Sequence, residues 1–332
     1  MTPEFYKIFS DYQEIAVRYD EPHKAVWCYF NPVPKPCFSI TMLRELRELQ
    51  QRIIDYYGHY PIHIDAPVQY VIICSQIPGI FNLGGDLTLF ARLIKERNKE
   101  QLLEYATLCI EIVYLNAVSM HLPITVVALV EGTALGGGFE SALSANILIA
   151  TEDAEMGFPE IRFNLFPGMG AYSLLARLVG TVTAEKMIDS GIVYHAGELY
   201  QKGIVNHMIG SNNVDNSVDK ILQQHNLRAN GLRAILKVRQ RYHPITYHEL
   251  EDIVKIWVDT AMRMKDKDLR MMDRLVNAQQ LMMNRQGKKF LLRTKQDRRF
   301  TKDCVVFPLK DSSGNIIMTD RRKDSDRRQQ RS

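Results

Sequence analysis

The chain is predicted to be an α/β protein with a mostly parallel sheet and a helical C-terminal region. Two short apolar runs, Val68–Cys74 and Ile124–Val130, have the length and β-branched content of buried strands. A helical pattern from Leu87 to Met120 separates them, and strands alternating with helices imply parallel pairing. From Pro244 to Arg285 the pattern is almost wholly helical.

In order, Glu14–Tyr19 and Ala25–Phe30 read as paired strands, followed by a helix from about Thr41 to Tyr57. The first buried strand then runs into Phe81-Asn82-Leu83-Gly84-Gly85-Asp86-Leu87, and the second into Glu131-Gly132-Thr133-Ala134-Leu135-Gly136-Gly137-Gly138-Phe139-Glu140. Phe139–Ala150 reads as a helix, with Ile147–Ala150 leading towards a further short strand before Met156-Gly157-Phe158-Pro159-Glu160. Between Ala184 and His207 helical and turn signals alternate. The expected organisation is a core over 1–210, a helical region over 211–284 and a basic tail over 285–332.

The 332 residues are 46% hydrophobic and 24% charged, ordinary proportions for a globular protein. No apolar segment reaches the roughly 18 to 20 residues that span a bilayer. Met1 opens a Pro-, Glu- and Asp-containing stretch rather than a basic and apolar leader, so a cytoplasmic protein is expected. The 5 cysteines, Cys28, Cys37, Cys74, Cys109 and Cys304, form no C-x-x-C pair and read as reduced core residues. The 9 histidines show no metal spacing.

The two glycine-rich loops carry the chemistry. Glycines at a strand-to-helix junction leave backbone N–H groups unpaired, and such donors stabilise an oxygen that gains negative charge. No Lys-Ser or Lys-Thr follows Gly138, which excludes a P-loop, and the Gly132-to-Gly138 spacing is not the G-x-G-x-x-G of a dinucleotide site. Two carboxylates, Glu140 and Glu160, lie in otherwise apolar surroundings, which should raise their pKa values. Two such acids beside an oxyanion hole suit addition or removal of water across the C2–C3 bond of an acyl thioester. No G-x-S-x-G is present, and Ser141 and Ser144 have no evident histidine partner.

The two loops, the GGG-x-Glu motif and the Pro-Glu pair resemble the crotonase, or enoyl-CoA hydratase/isomerase, superfamily over roughly Ala25 to Gln280. Within it, the Phe81–Leu87 loop and Leu165-Phe166-Pro167-Gly168-Met169-Gly170-Ala171-Tyr172-Ser173 are closer to the diffusible signal factor synthases. The resemblance implies a crotonase-like ββα spiral fold. It also implies an oxyanion hole from the N–H groups of Gly85 and Gly137, with Glu160 nearer C2 and Glu140 nearer C3, labels that the residues themselves leave exchangeable.

The acyl-pocket candidates are Leu135, Gly136, Met169 and Trp257, the last because the resemblance implies that its matching Trp lies close to the acyl chain. Met156, Phe158, Phe163, Leu165 and Phe166 add an apolar supply suited to an alkyl tail. The implied reactions are dehydration of a 3-hydroxyacyl chain on acyl carrier protein and cleavage of the thioester, releasing a cis-2-unsaturated fatty acid signal. No cofactor and no metal are expected. An enoyl-CoA hydratase or isomerase acting on CoA thioesters, and an idle scaffold binding a regulator such as a sensor kinase, are the alternatives. The helical region is where crotonases build trimers, so a homo-oligomer, a trimer or dimer of trimers, is implied.

From Arg285 to Ser332 there are 15 Lys and Arg against 6 Asp, a net +9 in a chain whose total is +4. Such a run reads as a solvated, partly disordered tail, with an acidic carrier protein or nucleic acid as the partners it would suit otherwise. Cys304–Leu309 and Ile316–Met318, separated by Ser312-Ser313-Gly314-Asn315, are expected to form a hairpin.

Overall fold

The computed structural model describes residues 12–32, 35–58 and 67–279, together with residues 5, 8, 9 and 281 and two short strands in the tail. The first sheet contains β1 (Ile15–Asp20), β2 (Ala25–Phe30), β3 (Tyr70–Ser75), β5 (Thr125–Val130), β7 (Ile147–Thr151) and β10 (His207–Ile209), in the order β1-β2-β3-β5-β7-β10. β1 and β2 are antiparallel, and every later pairing in this sheet is parallel. A second sheet joins β4 (Ile80–Asn82), β6 (Thr133–Leu135), β8 (Glu155–Gly157) and β9 (Val193–His195) in that order. β4, β6 and β8 run parallel, and β9 is antiparallel to β8.

The chain alternates between the sheets. β3 leads to β4, β5 to β6 and β7 to β8, and helical structure follows each pair. These are the β-β-α repeats of a spiral. The inner strands of the first sheet, β2, β3, β5 and β7, are buried on both faces, so they read as nearly continuous apolar runs. On one face Trp27, Tyr70, Ile72, Val127, Leu129 and Ile149 meet Val218 and Leu222 from α8 (Val214–Asn226). The other face joins the main core, which includes α1 (Ile40–Gly58) and α3 (Lys99–Ala117).

Two helical expectations are revised. The Leu87–Met120 pattern is two helices, α2 (Leu87–Lys95) and α3, with Arg97 at φ 56° between them. Each begins at a side-chain cap: Asp86 accepts from the Thr88 and Leu89 N–H groups, and Asn98 from Gln101. The helix expected over Phe139–Ala150 is α4 (Gly137–Leu143) followed by β7. Asn146 makes the break, because its buried Oδ1 accepts from the Val126 N–H and the Ser119 hydroxyl, tying the turn to the neighbouring strand.

The later helices are α5 (Ala171–Val179), α6 (Thr181–Ser190), α7 (Ala196–Gln201), α9 (Ala229–Tyr242), α10 (Tyr247–Ala261) and α11 over 266–279. Thr246 caps α10, and Arg177 on α5 holds the first turn of α10 through a two-pronged contact with Glu249 at 2.7 and 2.9 Å. Four of the cysteines are buried and free, and Cys304 lies outside the described residues. So does most of the basic tail, of which Leu309–Lys310 and Ile316–Ile317 pair as an antiparallel ribbon. Among the described residues no helix is long and apolar enough to cross a membrane.

The start of α4 packs so closely on β4 that a Cβ at Gly138 would collide with the carbonyl of Asn82. Gly138→Ala should therefore cost about 1–3 kcal/mol of stability through overpacking. Urea unfolding would show it, and an unchanged midpoint would contradict this packing.

Candidate active site

The short parallel strands position the site. Gly84 and Gly85 follow β4, Gly136 and Gly137 follow β6, and Glu160 follows β8 in a 3-10 turn over Glu160–Phe163. Because these strands are adjacent and parallel, the three loops leave the sheet at the same edge. The turns require glycine at Gly84, φ +94°, and Gly136, φ +52°. A Cβ at Gly84 would lie 3.1 Å from the Gly137 nitrogen, so the first two loops touch.

The same contacts leave two donors free. The Gly84 N–H bonds the buried Asn82 Oδ1 at 2.7 Å, and the Gly136 N–H bonds the Gly157 carbonyl at 2.9 Å. The Gly85 and Gly137 N–H groups have no hydrogen-bond acceptor among the described residues. Both residues line a cavity of about 270 Å³, as do Glu140 and Glu160.

Glu140 is 1% exposed. Its Oε1 accepts from the Met169 N–H at 2.7 Å and the Ala171 N–H at 2.9 Å, at the start of α5. Burial pushes its carboxyl up to about 7, opposed by these two N–H bonds, which favour the ionised form. Glu160 is half-buried as a residue, yet its Oε2 is buried without a hydrogen-bond partner, and its carboxylate sits over the bare backbone of Gly136. Burial, and then the nearby Glu140 carboxylate, hold Glu160 well above the ordinary carboxylate range.

Leu135, Gly136, Met169 and Trp257 all line the same cavity, with Phe163 and Leu165. Met156 and Phe158 do not. Phe158 stacks on Phe139 with centroids 4.9 Å apart, and Met156 is fully buried in the core, so these two serve packing. Phe166 likewise packs against the core.

Several lining residues were not singled out from the sequence: Phe90 from α2, Tyr105, Ala106 and Cys109 from α3, and Leu275 and Gln279 from α11. The spacing of Tyr105, Ala106 and Cys109 places them on one helical face, a signal available in the sequence but indistinguishable there from core packing. Tyr105 donates to the Phe38 carbonyl at 2.5 Å, and Gln279 donates to the Leu83 carbonyl at 3.2 Å. α11 is thus hydrogen-bonded to the first glycine loop.

The wall is overwhelmingly apolar, and its polar groups converge on the place where four loops meet. That arrangement can bind an acyl chain, hold a carbonyl oxygen between two N–H donors and move protons through two carboxyls. Among the described residues, the grouping with metal-like proximity is His248, Glu251 and Asp252, which lies on the surface of α10. Lys255 pairs with both acids, and none of the three lines the cavity.

Comparisons with known proteins bear on the family and the fold. A mitochondrial probable enoyl-CoA hydratase 2 from Arabidopsis thaliana is 32% identical over 195 residues, covering 59% of this chain and 60% of that protein. The methylglutaconyl-CoA hydratase of Rattus norvegicus is 34% identical over 149 residues, 45% of each chain. The chain thus spans about half the length of the curated relatives it matches. Among solved structures, human mitochondrial delta3-delta2-enoyl-CoA isomerase shares the fold with a TM-score of 0.66 at 18% identity, covering 81% of this chain and 99% of that one. Pseudomonas aeruginosa DspI does so with a TM-score of 0.58 at 24% identity, covering 75% and 97%. A family model described as enoyl-CoA hydratase/isomerase matches residues 61–274, nearly two thirds of the sequence, and the chain belongs to that family.

Proposed function

We propose that this protein dehydrates 3-hydroxyacyl chains carried on acyl carrier protein and cleaves the resulting thioester, releasing a cis-2-unsaturated fatty acid of the diffusible signal factor type. The observation that carries the reading is the convergence of two carboxyls, Glu140 and Glu160, and two unpaired N–H groups, Gly85 and Gly137, on one apolar cavity. The resemblance of the Phe81–Leu87 and Leu165–Ser173 segments to the synthases supports the finer assignment. The family match equally supports a second reading, hydration or isomerisation of enoyl-CoA.

In either case the thioester oxygen sits between the Gly85 and Gly137 N–H groups, each contributing about 3 to 4 kcal/mol as enolate character develops. The two acids lie close in a desolvated site and share one proton near neutral pH, because ionising both would place like charges together. Glu140, with its two N–H bonds, is the better anion; Glu160, with an unpartnered Oε2, is the better acid. This resting state suits hydration: Glu140 takes a proton from water attacking C3, and Glu160 protonates C2. Dehydration runs through the other placement of the proton, with Glu160 removing the C2 proton and Glu140 protonating the departing 3-hydroxyl. For thioester cleavage, ionised Glu140 takes a proton from water attacking C1, the same two N–H groups hold the tetrahedral oxyanion, and its collapse breaks the C–S bond and expels the carrier thiolate, to which Glu140 returns the proton. Neither cofactor nor metal enters these steps.

Self-association is part of the proposal. α9 buries none of its residues within the chain and leaves Ile235, Val238 and Tyr242 exposed, a face that a second copy would cover.

Mass spectrometry with a 3-hydroxyacyl carrier-protein substrate of medium chain length tests the assignment. The parent should release free cis-2-enoic acid, and Glu140→Ala and Glu160→Ala should each be slower by roughly 100- to 10,000-fold. A parent that leaves this substrate unchanged but hydrates enoyl-CoA would establish the second reading instead.

The raised carboxyl also has a stability signature. A carboxyl whose folded pKa lies above its unfolded value supports folding at low pH and loses that support as pH rises through about 7. Glu140→Gln, which keeps an oxygen for the two N–H groups, should therefore be more stable than the parent at pH 8, by about 3 kcal/mol at most. The difference should shrink towards pH 5. Urea unfolding at both pH values measures it, and a parent at least as stable at pH 8 would refute the assignment.

A further inference from the structure

Trp257 does more than face the cavity. Its ring meets Phe90 edge-on, with centroids 5.3 Å apart, and covers Gly168 so closely that a Cβ there would lie 2.5 Å from Trp257 Cγ. The residue after Gly168 is Met169, whose N–H reaches Glu140 Oε1 and whose Sδ lies where a Cβ of Gly137 would be, 2.5 Å away. Gly170, at φ +112°, turns the chain so that the Ala171 N–H also reaches Glu140, and it faces Leu250. Leu250 and Trp257 both belong to α10, and both are buried. One helix therefore lies against both Gly168 and Gly170, the residues that precede the two donor N–H groups, and the segment touches both the Gly137 loop and the carboxylate.

We propose that Trp257 is a positioning residue: through Gly168 it holds the Met169 and Ala171 N–H groups on Glu140, so that a ligand displacing the indole also loosens the hold on this carboxylate. The inference rests on the reading above, in which Glu140 is the ionised partner of the pair.

The physical basis is the carboxylate's dependence on those two donors. Hydrogen bonds to the charged form favour ionisation, and burial opposes it. The titratable groups that act on Glu140 come from different elements, the Glu160 carboxyl from the turn after β8 and the Cys109 thiol from α3, while Arg162 and Tyr105 line the same cavity. The side chain that α10 contributes to the cavity wall is Trp257, which carries no charge. A change at Trp257 acts on Glu140 through the Gly168–Ala171 backbone, which raises the midpoint, and through burial, which a smaller side chain lessens and so lowers it, so the direction of the shift separates the two.

Isotope-edited infrared spectroscopy on protein carrying 13C-labelled glutamate tests this, with the Glu140 band identified by its loss in Glu140→Gln. Trp257→Leu and Gly168→Ala should each move the titration midpoint of that band to higher pH, by about ten- to a hundredfold in acid dissociation constant, the value of a hydrogen bond to a charged group. Trp257→Phe, which keeps an aromatic ring against Gly168, should restore most of the parent midpoint. An unchanged midpoint in either folded variant, with folding checked by a melting curve, would overturn the proposal. Gly168→Ala removes no side chain and decides the matter alone if Trp257→Leu does not fold. The titration requires no turnover. Inactivity on every thioester with the shift present would defeat the functional reading and leave this one standing, and activity without the shift would do the reverse.

Discussion

The parallel pairing of three three-residue strands is the constraint on which the site depends. β4, β6 and β8 come from successive repeats, and their register places Leu135 opposite Gly157, so the loops that follow emerge side by side. Each repeat brings candidate groups to that edge: Gly85 after β4, Gly137 and Glu140 after β6, and Glu160 after β8. A slip of one residue in any of these strands would turn its side chains to the opposite face and withdraw its contribution. The first sheet, whose inner strands are buried on both faces, fixes that register from below, since each short strand follows closely on a long one.

Given that frame, the chemistry follows from a contest between burial and hydrogen bonding. Both carboxyls are removed from water by the same apolar walls, which penalises their charge. Glu140 recovers part of the loss from two backbone donors, whereas the inner oxygen of Glu160 recovers none from a neighbour. Two acids of one residue type are thereby driven to different proton affinities. The N–H groups of Gly85 and Gly137 stay open because their neighbours, Gly84 and Gly136, have partners and hold the turns in place. Their freedom has a purpose only if an oxygen arrives from outside.

Much of this was legible in the sequence, for reasons tied to particular residues. Val68–Cys74 and Ile124–Val130 stand out because strands buried on both faces need apolar side chains throughout. The glycines at 84, 85, 136 and 137 were legible as bare turns, and the two acids stood out against their apolar flanks. The break at Asn146 was not, because its cause is a hydrogen bond to Val126, twenty residues away in the chain. The roles of Tyr105, Cys109 and Gln279 were equally hidden, since periodicity shows which face of a helix is apolar but not what it meets. Met156 and Phe158 look like pocket residues in sequence because a core and a cavity wall draw on the same side chains.

The central claim is that Gly85 and Gly137 hold a thioester oxygen between Glu140 and Glu160. A crystal structure of the protein with a non-hydrolysable 3-hydroxyacyl-pantetheine amide tests it most directly. The account predicts the acyl carbonyl oxygen within about 3 Å of both nitrogens, the 3-hydroxyl against Glu140 and C2 beside Glu160. A ligand bound in the cavity with its carbonyl oxygen away from both N–H groups would contradict it.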